Sequence, residues 1–128
     1  MKKALVVDDS RMIRVILRKM LSEIGYEVCE AGNGREALEI ASTIPEQLEI
    51  VLADWNMPEM NGFDLLKELR KRQEFSSLKI VMVTTEAELA HMSKALEAGA
   101  NEYIMKPFTK EIVFEKLELL GALHGVGV

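Results

Sequence analysis

A chain of 128 residues with a formal net charge of -5 has room for one compact core, and its acidic balance excludes nucleic acid as the main partner, which would need a concentrated basic surface. Hydrophobic residues make up 48% of the chain and are spread along its whole length, which excludes a disordered or fibrous protein. No apolar run could span a bilayer and the stretch Ala4 to Val7 is too short for a signal peptide, so a cytoplasmic protein without membrane insertion is expected. Residues 1–123 are expected to form one domain, with 124–128 a flexible tail.

Short, β-branched apolar runs alternate with amphipathic stretches. The first run, Ala4 to Val7, is followed by Met12, Ile13, Ile16, Leu17, Met20, Leu21 and Ile24 at the spacing of one helix face, with Ser10 placed to cap the start and Gly25 the end. Arg11, Arg14, Arg18 and Lys19 are expected to form the solvated side of that helix. The second run is Val28-Cys29, and a helix follows from Asn33, with Glu36 three residues on in the manner of a capping box, to a stop before Pro45. Cys29 is the sole cysteine and reads as a small core residue. The third run, Ile50 to Ala53, leads to a helix from about Asn61 to Arg72. After Ile80 to Val83, a fourth helix uses Leu89, Met92, Ala95 and Leu96 and ends at Gly99. The fifth run, Tyr103 to Met105, leads to a helix from near Thr109 that buries Ile112, Val113, Leu117 and Leu120, with Gly121 and the tail frayed.

Strict alternation of strand and helix implies an α/β fold with a parallel sheet covered on both faces. The first, third and fourth runs are apolar throughout, whereas Glu27, Glu30 and Glu102 flank the second and fifth and move those strands to the edges. A doubly wound five-stranded sheet of order 2-1-3-4-5 satisfies this, and ligands of such sheets bind at the carboxyl ends of the strands. The residues there are Asp8-Asp9, Asp54, Thr84-Thr85 and Lys106. Each alone is an ordinary turn residue. Together, the three carboxylates repel one another unless a cation neutralises them, and an oxygen-only set of ligands suits Mg2+. Lys106 would be a point charge for a phosphoryl oxygen.

The stretch Leu5-Val6-Val7-Asp8-Asp9-Ser10, the run Asp54-Trp55-Asn56-Met57-Pro58-Glu59-Met60-Asn61-Gly62, Thr84 and the closing Lys106-Pro107-Phe108-Thr109 resemble the receiver domains of two-component response regulators. Single-domain chemotaxis regulators are the nearest in kind, and the resemblance covers the whole chain in order and spacing. It implies a flavodoxin-like fold and a phosphorylation-activated signalling switch, not an enzyme beyond its own phosphorylation and dephosphorylation. Asp54 would be the phosphoacceptor, assisted by Thr84 and Lys106. Asp9 would be a direct Mg2+ ligand, Asp8 a supporting one through water, and the backbone carbonyl of Asn56 a further one. Thr84 and Tyr103 would be the switch pair, and Asn56 and Glu86 would modulate dephosphorylation. Lys106-Pro107 would be a cis bond.

The implied partners are a histidine kinase as phosphodonor, a phosphatase and a downstream protein such as a flagellar motor switch protein, bound by a monomer through a surface around Lys94, Tyr103 and Lys110. No output domain is expected after Leu123, so output would be by direct binding. A phosphorelay intermediate or phosphate sink is the alternative within the family. A haloacid dehalogenase-type phosphatase is the alternative outside it, although its second aspartate, two residues after the first, is here Ser10. Trp55 is expected to be partly exposed beside the site, His91 and His124 to face solvent, and Thr85 to narrow access to Asp54.

Overall fold

The computed structural model describes residues 2–122, so the expected tail, with His124, lies outside the described residues. The elements, in order, are β1 (Lys3–Val7), α1 (Arg11–Glu23), β2 (Glu27–Ala31), α2 (Gly34–Thr43), β3 (Leu48–Ala53), α3 (Gly62–Arg70), a 3-10 turn (Gln73–Phe75), β4 (Lys79–Thr84), α4 (Leu89–Glu97), β5 (Glu102–Met105) and α5 (Lys110–Leu119). The strands are all parallel, in the order β2-β1-β3-β4-β5, with the two glutamate-flanked strands at the edges as expected.

Side chains alternate across each strand, so the sheet serves two cores. Leu5, Val7, Val51, Ala53, Ile80 and Met82 pack beneath α2, α3 and α4, with Leu65, Leu66 and Leu69 opposite them. Ala4, Val6, Ile50, Leu52, Val81 and Val83 face the other way, onto Leu17 and Leu21 of α1 and Val113 and Leu117 of α5. Four of the α-helices start on a side-chain cap, whereas α4, preceded by Glu88, does not. Ser10 accepts from the Ile13 N–H, Asn33 from Glu36, Asn61 from Asp64 and Thr109 from Ile112, each satisfying an otherwise unpaired amide of a first helical turn. Glu36 reaches back to the amide of Gly32 (2.8 Å), one residue beyond the position a capping box would use.

Burial departs from expectation at the margins of the helical stripes. Met12 is 72% exposed, Leu89 76%, Leu96 50% and Ile112 45%, so all four lie off the core face assigned to them. In α4 only Ala95 is fully buried, because the helix seats on the sheet through a small residue and its leucines overhang. Gly121 is not frayed. At φ 72° it closes α5, donating to the Glu118 carbonyl, and the buried Ala122 follows it.

Ala122 is tied to β3 through Tyr26, whose hydroxyl lies 2.6 Å from Glu49 Oε1 and 3.2 Å from the Ala122 carbonyl oxygen. Burial first, then the hydrogen bond and charge of Glu49, raise the Tyr26 pKa above its ordinary value of 10.0. The protonated phenol is therefore the form that stabilises the fold, in full below pH 10, and its contribution is lost as the pH climbs through the raised value. Tyr26→Phe is expected to cost about 1.5 kcal/mol at neutral pH in urea unfolding, with the gap to wild type shrinking only as the pH rises past 10.0 toward the raised value. A constant gap would contradict the linkage.

Candidate functional site

The carboxyl ends of β1, β3, β4 and β5 converge where β1 and β3 are neighbours and the order of strands reverses. Main-chain bonds set the heights of these ends. The Asp54 amide donates to the Val7 carbonyl (3.0 Å), the Asp8 amide to Ala31 (3.1 Å) and the Lys106 amide to Thr84 (2.9 Å). Gly62, the first residue of α3, presses its Cα against the Asp54 carbonyl and donates its N–H to Trp55 (2.9 Å), so the turn after β3 is folded tightly under Asp54. Lys106-Pro107 is cis, as the family resemblance implied.

Asp8, Asp9 and Asp54 each offer a carboxylate oxygen within 4.8 Å of the others. Asp8 and Asp54 are buried and Asp9 is exposed. Lys106 Nζ donates to Asp8 Oδ2 at 2.6 Å and to Asp54 Oδ2 at 3.1 Å. Burial on its own would lower the lysine's pKa, but the hydrogen bonds and charges of the two aspartates outweigh it and leave the pKa raised. The ammonium thus stays charged at neutral pH. Asp54 Oδ1 is buried without a hydrogen-bond partner among the described residues. A hard, oxygen-only donor set with one unpartnered buried oxygen, next to an exposed carboxylate, fits a divalent cation such as Mg2+.

Thr84 is wholly buried, its Oγ1 accepting from the Glu86 amide at 3.2 Å. Glu86 also accepts from Asn56 Nδ2 through its carboxylate (2.9 Å) and from the Tyr103 hydroxyl through its carbonyl (2.7 Å). The two residues two places after Asp54 and Thr84 are thus bonded to each other, a contact their spacing in the chain did not reveal. Tyr103 is 5% exposed, so of the three residues assigned to a partner surface it is buried while Lys94 and Lys110 are exposed. Burial, then the charges of Glu86 and Asp54, raise its phenol pKa. Lys110 is ion-paired to Glu23 (2.6 Å).

Two expectations are corrected at the rim. Trp55 is buried rather than partly exposed, stacked on Phe63 with ring centroids 4.9 Å apart and planes 3° from parallel. His91 is half-buried rather than solvent-facing, because its imidazole meets Trp55 edge-on at 4.9 Å. No histidine pattern in the sequence signals this, since its aromatic partner, Trp55, stands far away in the chain. Thr85 is exposed. Arg14 is also not part of a solvated face: its guanidinium bonds Glu30 and the Asp8 carbonyl.

The parallel sheet, its order of strands and the aspartates and lysine at its ends define a class of protein. The chain belongs to the response regulator receiver domain family, whose pattern it matches over residues 4–118. Among similar proteins are the chemotaxis protein CheY1 of Helicobacter pylori, 47% identical over 119 residues covering 92% of this chain and 95% of that one, and a chemotaxis protein CheY homolog of Campylobacter jejuni, 45% identical over 127 residues covering 98% and 97%. The chemotaxis response regulator CheY4 of Vibrio cholerae superposes with a TM-score of 0.86 at 35% identity, covering 94% of this chain and 98% of that chain. Membership in this family does not favour the dehalogenase-type phosphatase or the phosphorelay alternative. Among the described residues, no helix is long and apolar enough to cross a membrane.

Proposed function

We propose that this chain is a phosphorylation-activated switch that accepts a phosphoryl group on Asp54 from the phosphohistidine of a histidine kinase. The observation that carries the reading is the asymmetry of the Asp54 carboxylate, one oxygen held by Lys106 and the other buried without a hydrogen bond among the described residues. Asp8, Asp9, Asp54 and the backbone carbonyl of Asn56 would hold Mg2+, which when bound supplies positive charge against the oxygens of the transferring group. Lys106 fixes the aim of Asp54 and offers a second positive charge. An Asp54 oxygen forms the new bond to phosphorus as the bond from phosphorus to the imidazole nitrogen breaks; the electron pair stays on that nitrogen, which takes up a proton.

The new anionic oxygens would draw the Thr84 hydroxyl as a donor, while its oxygen here accepts from the Glu86 amide and Tyr103 is held on the carbonyl of that same residue. Chemistry at Asp54 is thereby linked to the segment leading into α4. The Asn56–Glu86 hydrogen bond joins the residues two places after Asp54 and Thr84 and would set how fast water resets the phosphoryl group. Output is binding of a downstream protein on the face of α4, β5 and α5, around Lys94, Tyr103 and Lys110, where Leu89, Leu96 and Ile112 are also exposed. The similarity to chemotaxis proteins supports a flagellar motor switch protein as that partner, with a phosphatase as a further one. The chain would work in the cytoplasm as a monomer, residues 1–123 forming the single domain and 124–128 its tail, and would turn over no substrate beyond its own phosphoryl group.

Incubation with Mg2+ and acetyl phosphate is expected to add the mass of one phosphoryl group to the intact protein, and Asp54→Asn to lose all of that gain. A wild-type protein that stays unmodified across a range of donor and Mg2+ concentrations refutes the reading.

A further inference from the structure

We infer that Arg14 is a positioning residue of the acidic cleft: it pins the peptide joining Asp8 to Asp9, and with it the geometry in which a divalent cation is held. The inference rests on reading that cleft as a cation site.

Asp8 is fixed from every side. Its carboxylate takes Lys106 on one oxygen and the Ser10 amide (2.8 Å) on the other, and its own amide is bonded to Ala31. Asp9 has no such support. It is exposed, and its carboxylate takes no hydrogen bond or ion pair from the described residues, so the main chain alone directs it into the cleft. The peptide that does so carries the Asp8 carbonyl, and Arg14 Nη1 donates to that oxygen at 2.6 Å.

The guanidinium is itself oriented. Arg14 Nε donates to Glu30 Oε1 at 3.0 Å, while Glu30 Oε2 takes Arg18 Nη1 at 2.7 Å. Glu30 is in register with Val6, two residues before Asp8, so the sheet sets its distance from the cleft. The guanidinium also lies against Gly32, where a Cβ would stand 3.7 Å from Nη1. A cation in the first turn of α1 meets the positive end of the helix dipole, so the helix itself gives it no reason to fold back there. Arg18 alone would tie α1 to β2 through Glu30. What Arg14 adds is the bond to Asp8, made by the rigid fork that lets one side chain serve two acceptors at fixed angles.

The inference has a sign. Removing a positive charge beside a dication site tightens binding by Coulomb's law. Freeing the Asp8–Asp9 peptide loosens it. Mg2+ titrations, followed by the emission of Trp55 or by the Mg2+-dependent rise in melting temperature, are expected to show Arg14→Met binding about tenfold more weakly than wild type. The preference for Mg2+ over Ca2+ is expected to fall with it, because the smaller ion demands the stricter geometry. Arg14→Lys, which keeps the charge and serves as the stand-in should Arg14→Met not fold, is expected to weaken binding in the same direction. Arg18→Met breaks the other half of the Glu30 pair and is expected to leave affinity within about twofold of wild type.

Equal or tighter binding in Arg14→Met, wild-type affinity in Arg14→Lys, or an equal loss in Arg18→Met overturns the role of Arg14 and leaves the cation site standing. A wild-type protein without a saturable Mg2+ response overturns both.

Discussion

An alanine at position 62 is expected to cost about 3 kcal/mol of stability, the upper end of what one added methyl group does in a packed site. A Cβ there would stand 1.9 Å from the Asp54 carbonyl oxygen, 2.8 Å from its carbon and 3.0 Å from Met82 Cε. The first two are backbone atoms of Asp54, the residue directly after β3, so the closest contacts are not with a flexible side-chain tip that could give way. Either α3 lifts off the sheet or the Asp54 peptide turns. Both outcomes lower the urea midpoint, and the second also slows phosphoryl uptake in the molecules that remain folded. Gly25→Ala is the informative control. At φ 99° with open space around it, that position is expected to lose only about 1 kcal/mol, from backbone conformation alone. Equal losses at the two glycines would defeat the steric explanation.

Lys106→Met is expected to destabilise the Mg2+-free protein by about 3 kcal/mol at neutral pH, because it leaves the buried carboxylate of Asp8 and that of Asp54 facing each other with no cation between them. The aliphatic stem is retained, so packing contributes little to the loss. Melting in EDTA reads this directly. Saturating Mg2+ is expected to narrow the gap, since a dication replaces the missing charge and no longer competes with an ammonium for the same oxygens. Because the lysine's pKa is raised, its contribution is complete below the ordinary value of 10.5 and fades only as the pH rises through the raised one, so experiments at neutral pH observe all of it. A Lys106→Met protein as stable as wild type in EDTA would mean that the two aspartates tolerate each other unaided.

The parts of this molecule that repeat were legible in the sequence. Apolar runs at strand length, Ser10, Asn33, Asn61 and Thr109 at helix starts and glutamates beside the outer strands follow from local rules, and the order of strands then brings Asp8, Asp9, Asp54, Thr84 and Lys106 to one end. What stayed hidden depends on side chains meeting across elements. Arg14 looks like any helix-surface arginine until Glu30 on a neighbouring strand and a carbonyl at its own helix's start claim it. Arg70, which bonds the carbonyls of Gly99 and Phe75 and the side chain of Asn101, gave no signal either, since its acceptors are scattered along the chain. Leu89 and Ile112 mislead in the opposite direction: their period is helical, but hydrophobic spacing cannot tell the middle of a buried stripe from its edge.

Glu86 joins three residues through three different atoms: its carboxylate to Asn56, its amide to Thr84 and its carbonyl to Tyr103. Two of those atoms belong to the main chain, beyond the reach of side-chain replacement, short of a proline that removes the amide hydrogen. Under the proposed roles of these residues, sequence change at this position would retune the clock of the switch while leaving its transmission intact, so that the duration of a signal and the route by which it travels could evolve separately.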